Sequence, residues 1–282
     1  MPASARADIE KEDCMPANAA ANAPATEYVP AIEYVGVGKS FGNVRALNPI
    51  SLSIRQGEFV AIVGPSGCGK STLLSIVAGI VIATEGYVRY MGNEVNGPNQ
   101  RVGFVTQKDL LLPWRTVEDN IRFPLEVRGQ QRDADRRVAE VIEQVGLSGF
   151  EKKYISQLSG GMRKRVGIAR TLVYKPDVYL MDEPFGSLDA QLRTTMHTDV
   201  LRLWRDTGST MVFVTHDLGE AVVLAERVIV MSGRPGTIKA EVPIEMDKKV
   251  FRDAVSIQTA PEFQHYLAKL WSLIKSDEET HA

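Results

Sequence analysis

Cysteine, histidine and long apolar runs are scarce in this chain. It has two cysteines and four histidines in 282 residues. Cys14 falls in an Ala- and Pro-rich N-terminal stretch and Cys68 in a glycine-rich loop. That pattern offers neither a disulfide framework nor a metal-ligand spacing, and it suits a reducing compartment. The longest near-apolar run, LLSIVAGIVIA at 73–83, falls far short of the ~20 residues of a membrane-spanning helix. It reads instead as a buried helix and the turn after it. No basic segment followed by a long apolar core opens the chain, so a secretory signal is not expected. Charge of one sign is also lacking: 33 basic against 35 acidic residues leave a net −2. That balance gives no electrostatic case for nucleic acid or an anionic lipid surface.

What is present is ordinary globular material, 44% apolar and 24% charged, enough for a large buried core. Residues 1–27 show no apolar period and are expected to form a disordered tail. Beyond them the pattern becomes strand-like. EFVAIVG (58–64), VYLMDEP (178–184), TMVFVTHD (210–217) and RVIVMS (227–232) are short continuous apolar runs, the signature of strands buried on both faces of a parallel sheet. Helical patterns separate them, which makes the class α/β. Between about 113 and 174 the strand signals stop. There Val138, Val141, Ile142 and Val145, closed by Gly146, form one amphipathic helix, and Met162, Val166, Ala169 and Val173 form another. We expect a helical subdomain inserted in a cassette of residues 28–242. One terminal helix, with Phe263, Leu267, Leu270 and Ile274 on its apolar face, is expected within residues 243–282.

The polar ends of the strand runs converge. Gly64, Asp182 with Glu183, and His216 each follow an apolar run, and open α/β sheets bind ligands beyond the carboxyl ends of their strands. GPSGCGKST at 64–72 fits the pattern G-x-x-x-x-G-K-[ST]. Gly64, Pro65, Ser66, Gly67, Cys68, Gly69, Lys70, Ser71 and Thr72 would thus form a phosphate-cradling loop, with Lys70 reaching the β- and γ-phosphates and Ser71 holding Mg²⁺. Asp182 is the second Mg²⁺ support, a carboxylate acting through a water. Glu183 is left to orient or deprotonate an attacking water. Such a pair at a strand end favours hydrolysis over transfer; the alternative is an acidic pair capping the next helix. His216 can reach the same phosphate, and Gln107, after VGFVT, can reach Mg²⁺ or the lytic water.

A second phosphate-like element, QLSGG at 157–161, opens a helix without any lysine. Ser159, Gly160 and Gly161 are either an anion site or a plain helix cap. Basic residues 163–165 (RKR) read as a solvated helix face.

Taken in order, GPSGCGKST, Gln107, LSGG, LMDEP, SLD at 187–189 and VTHD resemble the ATP-binding cassette of ABC transporters over about residues 31–240. The resemblance implies a P-loop NTPase (RecA-like) parallel-sheet core with a β-rich N-terminal part and the inserted α-helical subdomain. It implies ATP and Mg²⁺, and a head-to-tail homodimer in which Ser159, Gly160 and Gly161 close over the partner's ATP. Asp189 would sit in the loop linking the two sites. Phe41, by itself a core position, matches the aromatic that stacks on adenine. Met162 stands where the family's signature commonly has glutamine. QKDLLLPWRTVEDNI at 107–121 and SGRPGTI at 232–238 resemble the nitrate, sulfonate and taurine importers. Transmembrane permease subunits, met through residues 108–114, and indirectly a solute-binding protein are the implied partners, at the cytoplasmic face of the plasma membrane, with no nucleic acid. The competing functions are a soluble ABC protein of translation or DNA repair and a P-loop kinase or nucleotide switch.

Overall fold

Runs without polar alternation build the centre of the fold. In the computed structural model, which describes residues 29–186 and 188–278, β3 (Phe59–Val63), β7 (Val178–Asp182) and β8 (Thr210–Val214) are buried at every position. β9 (Arg227–Met231) is buried at all but its first. β3 lies between β8 and β9, and β7 between β8 and β6 (Val102–Val105), all parallel. The antiparallel strand β10 (Ile238–Pro243) completes the order β10-β9-β3-β8-β7-β6. Both faces are covered, because alternate side chains point to opposite sides. Phe59, Ala61 and Val63 enter one core cluster, and Val60 and Ile62 enter the other. The expected N-terminal tail lies outside the described residues.

The second cluster is closed by α1 (Lys70–Val77) and an antiparallel sheet. That sheet orders β1 (Ile32–Phe41), β2 (Val44–Ile54), β4 (Glu85–Tyr90) and β5 (Asn93–Glu94) as β2-β1-β4-β5. Between β6 and β7 the chain is helical: α2 (Val117–Val127), α3 (Ala134–Gln144) and α4 (Gly160–Leu172). The Thr116 hydroxyl accepts from the Asp119 amide at 3.3 Å, and Glu118 and Asp119 set acidic charge in the first turn of α2, where the helix dipole favours it. Val138, Val141 and Ile142 are buried, as their spacing requires.

After β7 come α5 (Ala190–Thr207) and α6 (Leu218–Leu224). The C-terminal part differs from expectation. Two helices form there, α7 (Ala254–Gln258) and α8 (Pro261–Glu278). Asp253 and Ser256 cap α7 reciprocally, at 2.9 and 3.2 Å. Five residues are too few to show an apolar period, which is why the sequence pattern misses α7.

One buried cation stands out. Lys248 is 1% exposed and donates to the Val222 carbonyl on α6. Burial pushes its ammonium down to about 8, against partial support from Glu226. The folded protein therefore holds this proton less tightly than the unfolded chain does. Its penalty, roughly 3 kcal/mol at most, is present below pH 8 and is relieved as pH rises toward the ordinary lysine value. Lys248→Met should accordingly show its greatest stability relative to the parent at pH 7, with the gap narrowing by pH 10. Paired urea melts at the two pH values measure this; a gap independent of pH would show that Lys248 titrates normally.

Candidate nucleotide-binding site

Loops from the carboxyl edge of the parallel sheet border a cleft of about 320 Å³. It is lined by Phe41, Val44, Ala46, Ser66, Gly67, Gly69, Lys70, Ser71, Thr72, Gln107, Glu183 and Arg234. The loop after β3 enters α1 through Gly69 at φ 102°. A Cβ there would stand 2.4 Å from Leu47 Cδ2, so neither the backbone angle nor the space admits a larger residue. Lys70 is buried, and its Nζ donates to the carbonyls of Gly64 at 2.8 Å and Pro65 at 2.9 Å. Gly64, Pro65, Cys68, Asp182 and His216 lie outside the cleft lining itself, with Gly64 and Cys68 buried beneath it and Pro65 half-buried.

Ser71 Oγ donates to Asp182 Oδ1 at 3.0 Å. Burial raises the pKa of Asp182, Ser71 opposes the rise and the neighbouring Glu183 charge adds to it. A hydroxyl and a desolvated carboxylate side by side form a hard all-oxygen pair that suits Mg²⁺. Glu183 follows at φ 46°, a left-handed conformation that costs a non-glycine residue about 1–3 kcal/mol. That turn places its carboxylate on the cleft, where Gln107 Nε2 donates to it at 3.2 Å and His216 Nδ1 lies 3.3 Å away. The acidic pair does not cap the next helix; Asp189 caps α5 by accepting from the Leu192 amide at 2.9 Å.

Each flanking loop is held from behind. The Thr215 hydroxyl donates to Glu220 at 2.6 Å and accepts from the Asp217 amide at 3.0 Å. Glu220 also meets His197 Nε2 at 3.3 Å. Burial disfavours the Glu220 charge, but hydrogen bonds from His197 and Thr215 together with the Arg193 charge outweigh it and lower the pKa. On the other side Lys164 Nζ donates to the carbonyls of Thr106 and Gln107, at 3.2 and 2.6 Å. This corrects the expectation of a solvated basic face at 163–165. Lys164 is 4% exposed, Arg163 donates to the Leu158 carbonyl at 2.7 Å and Arg165 to that of Gly146 at 2.8 Å.

Phe41 is not a core residue: it is 49% exposed and forms one wall of the cleft. Ser159, Gly160, Gly161 and Asp189 are not brought to the cleft of their own chain. Ser159 caps α4, accepting from the Met162 amide at 3.2 Å. The Met162 side chain packs, partly buried, against the core, so this position makes an apolar contact where a glutamine would reach for a polar one. Sequence reasoning missed Val44, Ala46 and Arg234. For Arg234 a signal existed, since it follows β9 at the same carboxyl edge as the other site residues.

The ABC transporter family matches residues 47–186. An uncharacterized ABC transporter ATP-binding protein, MJ0412 of Methanocaldococcus jannaschii, is 46% identical over 235 residues, 83% of this chain and 86% of that one. The chain belongs to the ABC transporter ATP-binding proteins. The taurine import ATP-binding protein TauB of Jannaschia sp. is 43% identical, covering 84% of this chain and 90% of its own; that of Escherichia coli K12 is 41% identical, at 79% and 89%. Among solved structures, a dimeric post-hydrolysis state of the ATP-binding cassette MJ0796 bound to ADP and Pi superposes with a TM-score of 0.70 at 31% identity, over 76% of this chain and 99% of that one. The cassette binds and hydrolyses ATP with Mg²⁺. Among the described residues no helix is long and apolar enough to cross a membrane.

The Ser71–Asp182 pair generates a direct expectation. Ser71→Ala should bind ADP in EDTA about as the parent does, but the affinity gained on adding Mg²⁺ should shrink by about tenfold. Titration calorimetry with and without Mg²⁺ measures both terms; an undiminished Mg²⁺ gain would remove Ser71 from the metal site.

Proposed function

We propose that this chain is the ATP-hydrolysing subunit of an ABC importer for a small anionic or organic solute of the nitrate, sulfonate or taurine kind. It works as a homodimer at the cytoplasmic face of the plasma membrane, on transmembrane permease subunits served by a solute-binding protein. The observation that carries the chemistry is Glu183, turned onto the cleft and flanked by Gln107 and His216. The importer assignment rests on the taurine import names of relatives 41–43% identical to the chain.

In this reading Phe41 stacks on the adenine and the amides from Ser66 to Thr72 hold the phosphates. Lys70 turns from the Gly64 and Pro65 carbonyls to the phosphate oxygens. Ser71, Asp182 through a water, and Gln107 would hold Mg²⁺, which when bound would neutralise phosphate charge and fix its orientation. Glu183 orients the attacking water and accepts its proton, while His216 polarises the terminal phosphate. Ser159, Gly160 and Gly161 act on the partner subunit's ATP, and Asp189 lies between the two sites. ATP favours the closed dimer through its greater affinity for that state, and hydrolysis reopens it. Leu110 and Trp114, 62% and 71% exposed, give the 108–114 loop the apolar surface to meet a permease.

Glu183→Gln should keep MgATP binding and lose hydrolysis by about 10²–10⁴-fold; a variant retaining more than a tenth of the parent rate excludes Glu183 as the base. Ser159→Arg should also be inactive alone, as should Lys70→Ala. Mixing the two inactive chains should restore turnover through one intact composite site, and a mixture that stays dead argues against action across the dimer. Tagged Glu183→Gln chains trapped with MgATP in solubilised membranes should bring down a polytopic permease. Recovery of soluble proteins or nucleic acid alone, beside a recovered control transporter, would favour the soluble ABC alternative.

A further inference from the structure

Arg234 is a cation at the edge of an anion-binding cleft. It lies in the loop joining β9 to β10 and lines the cleft with Phe41 and the phosphate loop. Its Nε donates to the Gly67 carbonyl at 3.2 Å, three residues ahead of Lys70. Among the described residues no carboxylate pairs with it, whereas Arg227 at the opposite end of β9 is tied to Glu58 and Glu241 at 2.8 and 2.6 Å.

The loop that carries Arg234 is fastened on both sides. The Gly236 amide donates to the Ala46 carbonyl at 2.9 Å, and the Gly236 carbonyl accepts from the Asn48 amide at 3.0 Å. This joins the loop to the β2 wall of the cleft. Ser232 and Thr237 close its base, with hydroxyls 2.8 Å apart and an amide-to-carbonyl bond of 3.0 Å. On the other side Gly236 lies so close to the phosphate loop that a Cβ would fall 1.9 Å from the Cys68 carbonyl oxygen. The backbone beneath Arg234 is therefore fixed against two parts of the nucleotide site at once.

We propose that Arg234 is a nucleotide-binding residue whose guanidinium contacts the phosphate chain common to ADP and ATP. With Nε engaged at Gly67, both Nη groups remain as donors, and a planar fork of this kind matches phosphate oxygens better than a point charge does. The contact requires neither the γ-phosphate nor a second subunit, so it acts on ADP and ATP alike and chiefly on KM. This inference rests on the nucleotide-site reading and adds to it a residue outside the phosphate loop.

The test is ADP and MgATP binding by the full chain, measured by titration calorimetry on the parent and on Arg234→Ala, Arg234→Lys and Arg234→Glu. Because the arginine is exposed, the apo Tm should stay within a degree or two of the parent. Arg234→Ala should weaken ADP and ATP by a similar factor, about 3- to 10-fold for a solvent-exposed charged contact. Arg234→Glu should weaken both further, and Arg234→Lys should fall between parent and alanine. With ATPase readout, KM should rise by that factor while kcat moves less than twofold. If Arg234→Glu binds ADP within twofold of the parent, the proposal is wrong, although the nucleotide site stands. A loss of kcat with unchanged ADP affinity would instead place Arg234 at the dimer contact and equally overturn it. Should Arg234→Ala melt lower, the order of lysine and glutamate variants decides: equal affinities for the two overturn the proposal. A parent chain that binds no ADP at all would defeat the nucleotide-site reading and this inference together.

Discussion

The parallel register of β3, β8 and β7 is the constraint on which the site depends. Val214 stands opposite both Ile62 and Asp182, so the ends of the strands are level and the loops beyond them start at one height. The ladder even continues into the functional residues, since the Glu183 amide donates to the Val214 carbonyl at 2.9 Å and the Thr215 amide to that of Ile62 at 3.2 Å. A two-residue slip of β7 would carry Asp182 and Glu183 about 6.6 Å along the sheet, out of reach of Ser71, Gln107 and His216. A one-residue slip would reverse its buried faces. Because all five positions of each of these strands are buried, either slip sets apolar contacts against the sheet on both sides.

That rigidity is what allows the edge of the sheet to be locally unfavourable. Glu183 keeps a left-handed backbone, Asp182 is desolvated, and Lys70 is buried on carbonyls. None of these is a low-energy choice for the residue concerned, and each persists because neighbouring elements over-determine it. The loops themselves are fixed by charged groups working on backbone: Lys164 holds the Gln107 segment, and Glu220 holds Thr215 next to His216. Buried polar networks of this type are costly unless fully partnered, which makes the helices that supply them, α4 and α6, part of the site's construction rather than its surroundings.

How much of this was legible in the sequence follows from what kind of signal each residue leaves. A strand buried on both faces writes a continuous apolar run, and the run's end marks the functional residue; hence Gly64, Glu183 and His216 could be placed at one edge before any coordinates. The same rule applied to β9 points at the 232–238 loop and is the signal for Arg234, but a weak one, because an arginine in a loop is ordinarily just solvated. Lys164 misled for the opposite reason. A basic triplet on a helix normally faces water, and only packing of the Thr106–Gln107 backbone onto α4 converts its middle member into a buried donor. Phe41 was ambiguous because aromatic character signals a core and a ligand wall equally; its exposure decides. The five-residue helix α7 is too short for periodicity to register.

The phosphate loop and the second grip proposed at Ser159 differ in how they are anchored, and the difference bears on the proposed dimer. The phosphate loop is continuous with β3 and shares the rigidity of the central sheet. Ser159 begins α4 in the helical segment and caps its own helix. A capping serine has its hydroxyl lone pair on the helix amides while its hydrogen remains available to donate, so capping and recognition of a partner's phosphate are compatible rather than competing roles. Lys164 ties α4, the helix that begins with Ser159, to the loop carrying Gln107, whose side chain donates to Glu183.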